Sequence, residues 1–243
     1  MFQAKPSKYF FESRVQQLLE ARPGVAVRML EIGSGTSVAA ENLLKKFPLL
    51  DYVGIEPDGA SVVAARQRLA GIARAKVLHG MGYGGTRDEA LEQPFDFVFS
   101  LSVLEHVKDL ETFIEYSIQK ARPGGNVIHL YDLGHSLYPS SLKESLQTRL
   151  CGSPLLRFFP EGKVARYLAT PYVEGLLRRG CDIQEITFHN MPNHVAMLKS
   201  NMTEPFISQV SAFEYATFGN VPGLKIREKL FPSVCFWATK KTA

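Results

Sequence analysis

The chain has 243 residues, 45% of them hydrophobic and 21% charged, with a formal net charge of +4. That length suits one generous domain or one domain with an inserted cap, and the composition argues against disorder. No Lys/Arg block demands nucleic acid, no run of about eighteen apolar residues could span a membrane, and MFQAKPSKYF lacks the apolar core of a signal peptide. Cys151, Cys181 and Cys235 lie far apart and match no metal spacing. Free thiols in a reducing compartment are expected, hence a cytoplasmic protein without a metal site.

Apolar side chains at Phe10, Phe11, Val15, Leu18 and Leu19 predict a helix over residues 7–21, stopped by Pro23-Gly24. Val27–Ile32 reads as a buried strand ending in glycines, and Thr36 or Ser37 caps a helix running to about Phe47. Asp51–Ile55 is a second strand, and Asp58 caps a helix holding Val62, Val63 and Leu69. Lys76–His79 is a third, weaker strand, followed by the glycine-rich loop Gly80–Gly85. Phe95–Ser100 is a fourth strand. Leu110–Ala121 is a helix closed by Pro123-Gly124-Gly125, and Asn126–Tyr131 is a fifth strand. Thr170, as a cap, and Pro171 open a helix that ends at Gly180. Ile183–Phe188 and the alternating Ser233–Thr239 are the sixth and seventh strands. Strands alternating with helices predict an α/β fold, a doubly wound, mostly parallel sheet covered on both faces. Residues 133–170 and 189–230 read as irregular insertions with no core of their own, so one domain over 1–243 carrying a cap is expected.

A tight strand-to-helix turn needs small residues, and Gly33 and Gly35 let the backbone approach a ligand closely. The following helix start offers free N–H groups. A dinucleotide fingerprint wants G-x-G-x-x-G, but Val38 occupies its third glycine position. Glu31 lies two residues before Gly33, where a carboxylate would repel a pyrophosphate and could accept from the amino group of an amino-acid-bearing ligand. Glu56, ending the second strand, can accept from both hydroxyls of a ribose. Two acids bracketing a glycine loop describe S-adenosylmethionine better than a nicotinamide dinucleotide.

At these residues the chain resembles the class I S-adenosylmethionine-dependent methyltransferase superfamily, in particular its type 11 branch. VRMLEIGSGTS (27–37) looks like motif I and YVGIEPD (52–58) like the acidic motif after it. FDFVFSLSVLEHV (95–107) resembles the strand-four motif, and ARPGGNVIHLYD (121–132) the turn and strand five. The resemblance implies a Rossmann-like seven-stranded sheet with the last strand antiparallel, and S-adenosylmethionine as methyl donor. By position it places Glu31, Gly33, Ser34 and Gly35 at the methionine part, Glu56 with Pro57 at the ribose, and Met81 and Gly82 at adenine. Ser100, Leu101 and Ser102 fall beside the methionine and sulfonium, and His106 matches a histidine common in that motif. Two positions depart from the pattern: Ser37 stands for the third glycine, and Met81 where the family often has an acid.

Methyl transfer from a sulfonium is an in-line displacement in which orientation dominates, and a hydroxyl nucleophile also needs a base. Asp132, just past strand five, and His135, opening the first insertion, are the expected substrate contacts or bases, with His106 as a third candidate. His129 reads as a packed strand residue. The spacing of His129, Asp132 and His135 does not fit a metal site on a strand. There is no N-P-P-Y or D-P-P-Y after strand four, no Pro-Cys pair for cytosine attack, and no C-x-x-x-C-x-x-C for radical chemistry.

The first insertion carries basic Lys143, Arg149, Arg157, Lys163 and Arg166 against Glu144 and Glu161, with aromatic Tyr138, Phe158, Phe159 and Tyr167 and packing residues such as Leu150, Leu155 and Leu156. The second adds Phe206, Phe213, Tyr215 and Phe218, with His189 and His194. Such a lid could cover an anionic small-molecule substrate or be a solvated face over core aromatics. The expected activity is methyl transfer to an oxygen or nitrogen of a small metabolite. A protein or RNA methyltransferase with an open basic surface, or a non-catalytic S-adenosylmethionine-binding module, are the alternatives.

Overall fold

The computed structural model describes residues 5–83, 85–151, 153, 165–200 and 203–242. Its strands are β1 (Val27–Ile32), β2 (Leu50–Glu56), β3 (Ala75–His79), β4 (Phe95–Leu101), β5 (Ala121–Asp132), β6 (Cys181–His189) and β7 (Ser233–Lys240). Ahead of β1 lies α1 (Pro6–Glu20); α2 (Val38–Lys46), α3 (Gly59–Arg68) and α4 (Leu110–Lys120) connect the parallel strands. After β5 come α5 (Gly134–Leu137), α6 (Leu142–Cys151) and α7 (Thr170–Arg178). Between β6 and β7 lie α8 (Pro192–Ser200), α9 (Glu204–Phe218) and α10 (Leu224–Leu230).

The sheet runs β3-β2-β1-β4-β5-β7-β6, with β7 antiparallel to both neighbours and the β1–β5 pairings parallel. Both faces are apolar and both are covered, as the strands' composition requires. Val27 and Met29 pack into one core with Phe11 and Val15 of α1, Leu43 of α2 and Val62 of α3. Leu30 and Ile32 pack into the other with Phe113 and Ile114 of α4 and Val173 and Leu177 of α7. The doubly wound sheet with an antiparallel last strand is thus the observed fold.

Several local expectations need correction. Ser37 sits at the start of α2 but does not cap it. Its left-handed backbone (φ 54°) carries the hydroxyl instead to Tyr52 Oη at 3.1 Å. Thr170 is already inside α7, and its hydroxyl donates to Glu228 rather than to the helix amides. The Pro123-Gly124-Gly125 turn does not precede β5 but interrupts it: Phe95 pairs with Ala121 and Phe97 with Asn126, so residues 122–125 bulge out of register. The described residues between β6 and β7 are mostly helical (α8, α9 and α10) rather than irregular. In α9, Ile207, Val210, Ser211 and Glu214 are buried, a stripe with helical spacing that polar members disguise in the sequence. Arg157, Phe158, Phe159, Glu161, Lys163, Leu155 and Leu156 lie outside the described residues. None of the described helices is long and apolar enough to cross a membrane.

Candidate active site

Between β1 and β4 the sheet order reverses direction, so a crevice opens beyond the carboxyl ends of the strands. The loop after β1 fills its floor. Gly33 has φ +77°, and a Cβ there would lie 2.5 Å from Val103 Cγ2; Gly35 has φ +50°, and a Cβ there would meet nothing within 4 Å. The first glycine is therefore required by packing and backbone together, while the second leaves open space above it. Ser37 occupies the third left-handed position, where glycine would be unstrained.

Above this loop lies a cavity of about 330 Å³, within the roughly 300–1,000 Å³ typical of small-molecule sites. Gly33 and Gly35 line it with Glu56 and Pro57 from the end of β2. Met81, Gly82 and Tyr83 close it after β3; Leu101, Ser102, Val103 and His106 close it after β4. From α1, Lys8 reaches its wall. Glu56 is held rigidly: one carboxylate oxygen accepts from Gly35 N at 2.7 Å and the other from Asp58 N at 3.0 Å. Each oxygen keeps a lone pair for a further donor.

Glu31, expected to line the cavity, does not do so. It is buried beneath the cavity rather than on its wall and accepts from Tyr52 Oη at 2.6 Å. Burial pushes its carboxyl up to about 8, against the opposing pull of Tyr52 and Lys8. Near neutral pH it is mostly an uncharged acid. Ser34 is likewise buried below the wall, its amide donating to Ile55 O. Ser100 is not beside the cavity either. Fully buried, it bonds through Oγ to His129 Nδ1 at 2.8 Å, and burial drives His129 down to about 3, a neutral packed imidazole.

A second cavity, of about 400 Å³, adjoins the first. Its walls come from Lys5 ahead of α1, Asp132 at the end of β5, His135 of α5, Glu144 of α6 and Lys199 of α8. Asp132 is engaged on both oxygens, by Lys5 Nζ at 3.1 Å and by Gly134 N at 2.7 Å. His135 Nδ1 lies 2.8 Å from Glu144 Oε1, and Glu144 is held down to about 2, chiefly by the Ser140 hydroxyl and then His135. The carboxylate orients the ring and leaves Nε2 as the other polar edge. His106 of the first cavity and His135 of the second have ring centroids 6.0 Å apart.

The structure thus brings Gly33, Gly35, Glu56, Pro57, Met81, Gly82, Leu101, Ser102 and His106 to one cavity, and Asp132 and His135 to its neighbour. Sequence reasoning missed Lys5, Lys8, Glu144 and Glu105. Glu105 is buried and accepts from Asp132 N through Oε1, Oε2 has no hydrogen-bond partner among the described residues, and burial pushes the carboxyl up to about 8. Only its place in VLEHV beside His106 signals it. Nothing in α1 signals a ligand contact, because Lys5 and Asp132 are 127 positions apart. Among the described residues no group of three or more His, Cys, Asp or Glu is placed to hold a metal ion.

Comparison with known proteins agrees with this geometry. Residues 30–127 match a family model described as a methyltransferase domain. A ubiquinone biosynthesis O-methyltransferase of Azorhizobium caulinodans is 32% identical over 107 residues, 44% of this chain and 41% of that protein. The chain therefore matches about two fifths of that relative's length. Among solved structures, phosphoethanolamine N-methyltransferase 2 of Haemonchus contortus, bound to S-adenosyl-L-methionine, aligns with a TM-score of 0.60 at 18% identity, over 98% of this chain and 54% of that one. The [4+2]-cyclase SpnF aligns with a TM-score of 0.58 at 15% identity, over 95% and 82%, which shows that the fold is shared and does not by itself name a reaction. With four motifs in order and this sheet topology, residues 30–127 thus match a methyltransferase domain, and the chain is similar there to O-methyltransferases.

Proposed function

We propose that the chain transfers a methyl group from S-adenosylmethionine to an oxygen or nitrogen atom of a small-molecule acceptor carrying an anionic group. The observation that carries this reading is the pair of neighbouring cavities, with His106 of one and His135 of the other 6.0 Å apart. Bound S-adenosylmethionine supplies an electrophilic methyl group on a sulfonium. Gly33 and Gly35 admit its amino-acid part over the glycine loop, Glu56 accepts from its ribose, and Met81 and Gly82 border its adenine. Leu101 and Ser102 lie beside the methionine part.

The second cavity takes the acceptor, with Lys199 supplying a positive wall. His135, oriented by Glu144, is the base that receives a proton from the acceptor's hydroxyl or ammonium group. His106 stands at the junction as a second contact. Asp132, already held by Lys5 and Gly134 N, positions rather than abstracts. Residues 133–170 and 189–230 act as one cap on a single domain. Three buried free cysteines fit a reducing, cytoplasmic setting.

Calorimetric titration of the full chain with S-adenosylmethionine and S-adenosylhomocysteine tests the cofactor assignment, and absence of binding sinks it. Incubation with methyl-labelled S-adenosylmethionine and panels of phenols, carboxylic acids and amines then tests the acceptor class. Label entering protein or RNA instead would overturn the small-molecule reading.

A further inference from the structure

We infer that α8 is a ruler for the methyl acceptor. The second cavity takes a rod-shaped amphiphile with a hydroxyl or amine at one end, an apolar segment in the middle, and a carboxylate or phosphate held by Lys199 at the other end. The inference deepens the proposed methyl transfer and rests on reading the second cavity as the acceptor's.

The two faces of α8 have different work. One face docks on α9: His194 Nδ1 lies 2.9 Å from Glu214 Oε1, and Leu198 is buried with Ile207 and Val210. Glu214 also accepts from Asn190 N at 2.7 Å and Met191 N at 2.9 Å, which pins the start of α8. Another face is left for the cavity, and Pro192, Val195, Ala196 and Lys199 line it. Their spacing, i, i+3, i+4 and i+7, is that of a single helical stripe. The stripe is apolar until its last member, a lysine. Seven residues separate Pro192 from Lys199, which is about 10 Å along the helix axis.

The two ends of that stripe face different chemistry. It begins at the sheet, where Ser233 of β7 pairs with both Asp132 and His189, so the ends of β5 and β6 lie level. Asn190 Nδ2 donates to Ser233 Oγ at 2.6 Å, and Leu133 N donates to Pro232 O at 2.6 Å. The chain leading to His135 and the chain leading to α8 therefore leave the sheet side by side. His135 lies 6.0 Å from His106 of the first cavity. The acceptor's nucleophile belongs at this end, beside the methyl donor, and Lys199 stands two turns away.

Charge singles out the far end. Lys5 is paired with Asp132, and His135 with Glu144. Lys199 has no ion-pair partner among the described residues. An anion arriving there gains a partner without displacing one. Between the ends, Val195 and Ala196 offer no hydrogen bonds, so an apolar segment of the acceptor loses none by lying against them.

Calorimetric titration of the full chain, saturated with S-adenosylhomocysteine, against ω-hydroxy carboxylic acids of increasing length tests this. The matching ω-hydroxyalkyl phosphates and uncharged primary alcohols run beside them. Affinity should pass through an optimum with length in an anionic series, and the series that shows the tighter optimum identifies the anion. The alcohols should show only the steady gain of added methylene groups. Lys199→Met should weaken the best anionic probe about tenfold and leave the alcohols within about twofold. Ala196→Lys combined with Lys199→Ala moves the ammonium about 4.5 Å nearer the sheet, so the optimum should shorten by roughly three or four methylene groups. Both positions are exposed, so neither change removes a core contact. Absence of a length optimum in both anionic series, equal losses for anions and alcohols in Lys199→Met, or an optimum that stays put in the double variant would overturn the ruler, with S-adenosylhomocysteine still bound and the cofactor reading intact. Failure of S-adenosylhomocysteine to bind, seen before any acid is added, would overturn both.

Discussion

The two cavities adjoin, yet they are made of different materials. The first is built from strand ends and the turns that leave them: Gly33 and Gly35 after β1, Glu56 on β2, Leu101 and Ser102 around the end of β4. The second is built mainly from helices: the entry to α1, α5, α6 and α8, with Asp132 from the sheet. Strand ends are fixed by ladder pairing on both sides, so their side chains are aimed by the sheet. Helical insertions are aimed by single contacts such as Lys5 to Asp132 and His135 to Glu144, which a few substitutions can re-aim. A scaffold with one rigid half and one adjustable half can keep its cofactor while changing its substrate.

The largest expected effect separates the halves by function. His135→Asn should lower the rate of methyl transfer by about 10²–10⁴, the usual worth of a general base, and flatten the acidic limb of its pH profile. Affinity for S-adenosylhomocysteine should stay within about twofold. A parallel loss of cofactor affinity would mean that the halves are not separable.

Next comes the rigid half itself. Gly33→Val adds side-chain atoms 2.5 Å or closer to Val103 and forces a β-branched residue into φ +77°. The cost should be about 2–4 kcal/mol in urea unfolding, with cofactor binding lost. A stable, binding-competent variant would show the loop to be more adaptable than its packing implies.

A third measurement concerns Glu31 beneath that loop. Its carboxyl is pushed from 4.5 to about 8 on folding, so between those values the folded chain keeps a proton that the unfolded chain releases. The stability this group contributes is complete below about pH 4.5 and is lost as pH rises through about 8. Glu31→Gln still accepts from Tyr52 but has no proton to release. The difference in unfolding free energy should therefore shift in favour of the variant from pH 5 to pH 9. A difference that stays flat with pH would show Glu31 to be ionised in the folded chain.

The smallest effect is expected at Ser37→Gly. Relief of the left-handed backbone offsets the loss of the hydroxyl bond to Tyr52, so stability should move by less than about 1 kcal/mol. Cofactor affinity should hold, as measured by the same titration. A larger loss would show that the Ser37 hydroxyl, through Tyr52, sets the position of Glu31.

The same division explains what could be read from the sequence. Val27–Ile32 appears at the expected positions because a buried strand between a helix stop and a glycine turn leaves a local trace. Glu56 was legible because its distance from the loop is set by one helix and one strand. By contrast, the burial of Glu31 was not legible, since it depends on Tyr52, 21 residues away, and on the sheet around both. Ser100 was placed beside the ligand by resemblance alone; it is buried in the core against its partner His129. Helices α8, α9 and α10 left little trace, since their buried faces include polar Ser211, Glu214 and Glu228, which only tertiary partners satisfy. Lys5 and Lys8 were invisible for the same reason: each owes its meaning to residues on other elements.

The antiparallel last strand carries a consequence for how such a chain emerges from the ribosome. All of β1 to β5 pair among themselves, so the sheet beneath the cofactor cavity can assemble once residue 132 is free. β6 has no such option, because it pairs with β7 alone, whose first residue is synthesised some 44 positions after the last residue of β6. During that interval β6 is an edge without its sheet partner, open to pairing with other nascent chains. Vectorial synthesis therefore supplies the strands that border the first cavity before the final strand, which joins β6 to the rest of the sheet.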